Sequence, residues 1–146
     1  MTTVLFACVH SAGRSQMAAA WFNRLADSRK ARAIAAGTEP AAAVHPEVVD
    51  VMREAGLDLS AAIPLLLTED LARQAQWLIT MGCGDDCPHV PGVKRDDWPL
   101  EDPKGKPPIE VRRIRDAVRA RVETLVRAQG WAAEDATNPA SCIRSS

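Results

Sequence analysis

A cysteine, an arginine and a serine lie close together near the start of the chain, within the run VLFACVHSAGRSQM at residues 4–17. Five residues separate Cys8 from Arg14, and Ser15 follows directly. A cysteine thiolate is a nucleophile, and an arginine guanidinium can bind two oxygens of one oxyanion. These three side chains could therefore bind a tetrahedral oxyanion and attack it. We call residues 8–14 the anion loop.

The residues around this trio predict a strand, a tight loop and the start of a helix. An apolar run precedes Cys8, and the loop contains the small residues Ser11, Ala12 and Gly13. Backbone N–H groups at such a helix N-terminus hold oxyanions, and the same positive environment favours the thiolate form of Cys8. The alternative is a buried core cysteine that happens to lie near a surface arginine.

Length and composition restrict the class of protein. The 146 residues suit one domain, and we expect it to span residues 1–130, with a polar C-terminal tail at 131–146. A net charge of -1 gives no argument for nucleic acid or an anionic membrane. No apolar stretch is long enough to span a bilayer, and no basic segment followed by an apolar signal core begins the sequence, so we expect a cytoplasmic protein. We also expect it to be a monomer. Four cysteines in a reducing compartment suggest catalysis or metal binding rather than structural disulfides.

Strand-like and helix-like segments alternate along the chain. Strands are predicted at residues 3–7, 32–36 and 77–81 and near Val93, and helices at residues 15–28, 46–55, 69–75 and 108–127. The predicted buried faces of the longer helices are Ala18, Trp21, Phe22 and Leu25; Val48, Val51, Met52 and Ala55; and Val111, Ile114, Val118, Val122 and Leu125. This alternation predicts an α/β fold with a parallel sheet, helices on both faces, and a site beyond the carboxyl ends of the strands.

A second pair of cysteines follows the third predicted strand. Cys83 and Cys87 lie four positions apart in a glycine-rich segment, with His89 close behind. One interpretation is a zinc site formed by these three residues with a fourth ligand. A second is two unpaired cysteines in a polar loop. We favour a third, a redox relay in which one thiol attacks a bond made by Cys8 and the other takes over the resulting disulfide.

Three stretches together resemble a known family. They are CVHSAGRSQMA at residues 8–18, TMGCGDDCP at residues 80–88 and WPLEDPKGK at residues 98–106. The chain resembles, over residues 2–128, the arsenate reductases built on the low-molecular-weight tyrosine phosphatase fold, in particular the thioredoxin-coupled, actinobacterial-type members. The resemblance implies a three-layer sandwich around a four-stranded parallel sheet.

The resemblance also implies a role for each motif residue. Cys8 attacks arsenate, Ser15 stabilises the thiolate and Asp102 protonates the departing oxygen. Cys83 then attacks Cys8 and Cys87 attacks Cys83, so that thioredoxin can reduce the final disulfide. No cofactor is bound, and arsenate is held by the loop residues Val9, His10, Ser11, Ala12, Gly13 and Arg14.

The chain departs from the family pattern at several points. Ser11 stands where relatives usually carry asparagine, so we expect a shorter hydrogen bond and a less rigid loop. Ala19 stands where some relatives carry a glutamate that helps to bind potassium, so we expect no metal site. The spacing from Cys83 to Cys87 is shorter than in the best-known relatives. Two alternatives stay open: a reductase that uses Cys8 alone with mycothiol and mycoredoxin, and a low-molecular-weight tyrosine phosphatase.

Three polar residues also have ordinary structural interpretations. We expect the ring of His10 to face solvent and His45 to precede the helix that begins at Pro46. Asp102 precedes a proline, and Asp-Pro is ordinary turn chemistry. Its role as an acid therefore depends on the family resemblance.

Overall fold

The computed structural model describes residues 2–81 and 92–133. Four parallel strands form one sheet in the order β2-β1-β3-β4. The strands are β1 (Thr2–Cys8), β2 (Ala31–Gly37), β3 (Trp77–Thr80) and β4 (Lys94–Asp97), and the helices are α1 (Arg14–Leu25), α2 (Pro46–Glu54), α3 (Glu69–Arg73) and α4 (Pro108–Ala128). The predicted α/β class, the four-stranded parallel sheet and the short strand near Val93 are confirmed.

Strand β1 lies at the centre of the sheet because it is apolar on both faces. Val4 and Phe6 point to one side, where α1, α2 and α4 cover the sheet. Leu5 and Ala7 point to the other side, where α3 and the segment before it form a smaller core. All four side chains are at most 1% exposed. A central parallel strand buried on both faces carries such an uninterrupted apolar run.

Two predicted helix ends are wrong, and two predicted core residues, Ala55 and Leu125, are only half-buried. Helix α1 ends at Leu25 rather than Ser28, because Ala26 turns extended and pairs with Ala132. Helix α3 ends at Arg73 rather than Ala75. In α4 the buried position is Val126, while Leu125 is only half-buried, since the core contacts of Val118 and Val122 continue at a spacing of four residues. Within residues 2–81 and 92–133, no helix is long and apolar enough to cross a membrane.

The sheet brings the ends of two strands to one edge. Cys8 ends β1 beside Gly37 of β2. On the other side of β1, Ala7 pairs with Thr80, the last residue of β3, and Met81 donates its backbone N–H to the carbonyl of Ala7 over 2.7 Å. Met81 therefore lies at the same end of the sheet as Cys8, where a site at the carboxyl ends of parallel strands is expected.

Candidate active site

The thiol of Cys8 lies at the base of the anion loop and is almost fully buried, with 3% of the residue exposed. Its Sγ is 3.1 Å from the hydroxyl oxygen of Ser15, which is buried in the first turn of α1. A thiol donates to that oxygen, whereas a thiolate accepts a hydrogen bond from the hydroxyl. The contact can therefore stabilise the nucleophilic form of Cys8.

A buried chain of polar side chains extends this contact. The Ser15 oxygen lies 3.0 Å from the hydroxyl oxygen of Ser11. The Gln16 side-chain amide donates to both the carbonyl and the hydroxyl of Ser11, over 3.0 and 3.3 Å. Ser11 has a φ of 50°, in the left-handed region that asparagine tolerates better than most residues. Gln16 thus holds Ser11 in this strained conformation, at the position where we expected a less rigid loop. Nothing in the sequence had pointed to Gln16.

The carbonyl groups of the anion loop are fixed by the segment at residues 38–45. The carbonyls of Val9, His10 and Ala12 accept from the backbone N–H groups of Glu39, Ala41 and His45 over 2.8 to 2.9 Å. Among the residues described, the N–H groups of residues 9–13 have no backbone partner outside the helices and strands. They are therefore available to an oxyanion, which backbone N–H groups in such a concave turn bind well.

Two glycines allow the close packing that shapes this loop. A Cβ atom at Gly37 would lie 2.6 Å from the carbonyl oxygen of Val9 and 2.9 Å from the backbone nitrogen of Ser11. A Cβ atom at Gly13 would lie 2.8 Å from the ring of Pro103. The loop thus rests directly on the end of β2, and residue 103 rests on the loop.

Arg14 binds the segment that carries Asp102. Its Nη1 donates to the carbonyl of Leu100 over 2.9 Å, and its Nη2 lies 3.8 Å from the Asp102 carboxylate. The Arg14 side chain is 11% exposed and that of Asp102 is 46% exposed. The structure thus brings Asp102 to the edge of the anion loop, where only the family resemblance, and not the local Asp-Pro pattern, distinguished it from a surface turn residue.

A small recess opens between these groups. His45 directly precedes α2, as predicted, but its side chain also lines the recess. His10 is half-buried rather than solvated, with its Nδ1 3.0 Å from the carbonyl of Glu39. The recess is lined by Cys8, His10, Ala12, Gly13, Arg14, His45 and Asp102. Nucleophile, guanidinium and carboxylate therefore converge on one space, an arrangement suited to nucleophilic attack on an oxyanion.

The two other predicted relay residues, Cys83 and Cys87, lie outside the described residues, as does His89. Glu47 is a further residue at the site that the sequence analysis did not select. Its position after Pro46 is typical of an acidic residue in the first turn of a helix. Its carboxylate accepts a hydrogen bond from the backbone N–H of Gly105, which lies 58 residues further along the chain, so no local sequence pattern connects the two residues.

Comparisons with known proteins agree with this geometry. The family described as low molecular weight phosphotyrosine protein phosphatase matches residues 3–134. A Halobacterium salinarum protein, provisionally named an arsenate reductase, is 40% identical over 124 residues that cover 82% of this chain and 87% of that protein. Arsenate reductase 2 of Staphylococcus epidermidis is 32% identical over 127 residues, covering 84% and 95%.

The fold is also similar to solved structures of arsenate reductases. A thioredoxin-dependent arsenate reductase of Corynebacterium glutamicum has a TM-score of 0.77 and 39% identity, covering 88% of this chain. The chain spans 61% of the length of that protein. An arsenate reductase of Archaeoglobus fulgidus has a TM-score of 0.74 and 32% identity, covering 84% of this chain and 98% of the other. The chain belongs to the low molecular weight phosphotyrosine protein phosphatase family. All four of these relatives are named as arsenate reductases.

Proposed function

We propose that the protein is an arsenate reductase in which Cys8 is the nucleophile. The observation that carries this proposal is the buried Cys8 thiol, 3.1 Å from the Ser15 hydroxyl, in a recess shared with Arg14 and Asp102. Arsenate matches phosphate in shape and charge, so a phosphate-binding loop can hold it, and its As(V) centre can accept electrons from thiols. The names of relatives that are 32 to 40% identical support reduction as the reaction.

In the first step, the Cys8 thiolate attacks the arsenic atom and an S–As bond forms. The As–O bond to one arsenate hydroxyl breaks, and this hydroxyl leaves as water by taking one further proton from Asp102. The loop N–H groups and Arg14 hold the remaining oxygens, since donors already oriented toward developing negative charge stabilise it without rearranging. The Ser15 hydroxyl keeps Cys8 in the thiolate form before the attack.

In the second step, the Cys83 thiolate attacks the sulfur of Cys8. The S–As bond breaks, its electron pair stays on arsenic, and arsenite leaves as As(III) with a Cys8–Cys83 disulfide behind it. Cys87 then attacks Cys83, which frees Cys8 and forms a Cys83–Cys87 disulfide. Met81 supports this route, because its backbone N–H donates to the carbonyl of Ala7, the residue before Cys8, and Cys83 follows Met81 by only two residues in the sequence.

Thioredoxin is the reductant that we propose for the final disulfide. It would transfer two electrons and two protons to Cys83 and Cys87 by thiol–disulfide exchange, in the cytoplasm, where thiols stay reduced. The corynebacterial neighbour is named as thioredoxin-dependent, which supports this choice. The alternative reductant is mycothiol with mycoredoxin, which would need only Cys8.

Cysteine substitutions test the proposal. Cys8→Ser should abolish arsenate reduction, and Cys83→Ser and Cys87→Ser should stop turnover with thioredoxin. Cys142→Ser is the matched control. Cys142 is the fourth cysteine of the chain and matches no relay position of the family, so this variant should retain wild-type turnover. Turnover by Cys8→Ser would overturn the nucleophile. Full turnover by Cys87→Ser with mycothiol and mycoredoxin would favour the Cys8-only route.

A phosphomonoesterase is the second candidate, because the same loop and carboxylate would serve it. Cys8 would attack phosphorus and Asp102 would protonate the leaving alcohol, with no need for the other cysteines. Steady-state turnover of phosphotyrosine, together with absence of arsenite production, would favour this candidate over the reductase.

A further inference from the structure

Glu47 joins two parts of the protein that meet at the anion loop. It lies in the first turn of α2 and is half-buried. Its Oε2 accepts a hydrogen bond from the backbone N–H of Gly105 over 3.1 Å. Gly105 has a φ of 75° and lies in the turn that the Lys106 N–H closes onto the carbonyl of Pro103, over 3.1 Å. Glu47 therefore contacts the turn that directly follows Asp102.

Other contacts that hold this segment come from the anion loop and from α4, where Arg113 donates to the Glu101 carboxylate over 3.1 Å. Arg14 donates to Leu100 and lies 3.8 Å from Asp102, and the ring of Pro103 packs against Gly13. Asp102 also accepts from the backbone N–H of Lys104 over 3.0 Å, but this bond lies within the turn. Because the side chain of Asp102 is 46% exposed, packing alone does not hold its carboxylate. Glu47 supplies the fixed point on the α2 side.

We propose that Glu47 is a positioning residue that holds Asp102 at the recess by binding the Gly105 N–H. This rests on the proposed function, in which Asp102 protonates the leaving oxygen. Hydrogen bonds from the backbone N–H groups of Glu47 itself and of Gly105 keep the pKa of the Glu47 carboxyl below its ordinary value. Glu47 is therefore an ionised acceptor at neutral pH. A purely structural role, as a negative charge at the start of a helix, is the alternative.

The contact itself is tested in the full-length reduced protein without substrate. The reporter is the amide signal of Gly105 in ¹H–¹⁵N spectra of the wild type, Glu47→Gln and Glu47→Ala. We expect Glu47→Ala to move this proton signal upfield and to speed its exchange with solvent. Glu47→Gln keeps an acceptor oxygen and should remain near the wild type. An unchanged Gly105 signal in Glu47→Ala would overturn the proposal.

The effect on chemistry is tested by a double-mutant cycle with Asp102→Asn. Glu47→Ala should lower kcat about tenfold with little change in KM, a fraction of what a general acid contributes, and Glu47→Gln should restore most of it. In the Asp102→Asn background, Glu47→Ala should have no further effect. Asp50→Ala is the matched control, since Asp50 is exposed on the same helix and pairs only loosely with Arg53 at 3.8 Å.

Two substrates separate this inference from the proposed function. The cycle is run with arsenate and, because the family is that of phosphatases, with p-nitrophenyl phosphate. If the wild type reduces no arsenate, the proposed function fails and p-nitrophenyl phosphate remains the readout for Glu47. A tenfold loss that persists in the Asp102→Asn background would overturn the positioning role, as would wild-type kcat in Glu47→Ala.

Discussion

Gly37→Ala is the substitution whose effect follows most directly from the geometry of the anion loop. The new Cβ would lie 2.6 Å from the Val9 carbonyl oxygen, where ordinary contact begins at 3.4 Å. Its other near neighbours, the Ser11 nitrogen at 2.9 Å and the His10 carbonyl carbon at 3.0 Å, are also backbone atoms. No side chain can rotate away, so the loop itself must move by several tenths of an ångström.

Such a movement should cost more activity than stability. Overpacking of this kind destabilises a protein by about 1–3 kcal/mol, whereas a displacement of about 1 Å at a reacting site can cost about 10²-fold in rate. We therefore expect kcat/KM for arsenate to fall by one to two orders of magnitude (about 10- to 100-fold) in a variant that still folds. Thioredoxin-coupled turnover measures the rate, and urea unfolding followed by circular dichroism measures the stability.

Gly130→Ala is the matched control for a loss of stability alone. Gly130 has a φ of 73° and nothing within 4 Å of its position for a Cβ. Alanine in this left-handed conformation should cost about 1–2 kcal/mol without moving the anion loop. Wild-type turnover in Gly37→Ala, or an equal loss in Gly130→Ala, would refute the argument that the backbone of Gly37 shapes the loop.

Three further predictions concern single side chains. Gln16→Leu leaves the buried carbonyl of Ser11 without its donor, so the free energy of unfolding should fall by about 1–3 kcal/mol. Because Ser11 contacts Ser15, which stabilises the Cys8 thiolate, iodoacetamide should also alkylate Cys8 more slowly. If neither value changes, Gln16 does not brace the loop. Arg14→Lys keeps the charge but loses the planar fork, so KM for arsenate should rise about tenfold or more, and an unchanged KM would exclude bidentate binding. Hydrogen bonds from arginines of α4 lower the pKa of Glu54 below its ordinary value of 4.5, so the ionised Glu54 stabilises the fold above about pH 4.5 and this effect is lost as the pH falls further. The difference in unfolding free energy between wild type and Glu54→Gln should therefore shrink in acid. A difference that grows in acid would contradict this prediction.

Local signals in the sequence were enough to predict most of the fold. The apolar run before Cys8 predicts β1 because a central parallel strand needs apolar residues on both faces. Thr68 predicts the start of α3, and its hydroxyl does accept from the Leu71 N–H over 3.1 Å. The end of α1 was missed because it depends on pairing between Ala26 and Ala132, which are far apart in the chain.

In the candidate site, too, local features could be predicted from the sequence and tertiary contacts could not. The spacing of Cys8, Arg14 and Ser15 is local, because one strand, one loop and one helix turn carry all three residues. The contacts of Glu47 with Gly105 and of Gly37 with the loop backbone are tertiary, and no short pattern encodes them. Local sequence patterns could therefore select Cys8, Arg14 and Ser15, but not the residues that hold them in place.

The measurement that tests the central claim most directly is a single turnover of the fully reduced protein with arsenate and no added thiol. Arsenite is assayed, and the disulfides are mapped by mass spectrometry. We expect one equivalent of arsenite per protein and a Cys83–Cys87 disulfide, with Cys8 returned to the thiol. No arsenite and a protein that stays fully reduced would contradict the internal relay.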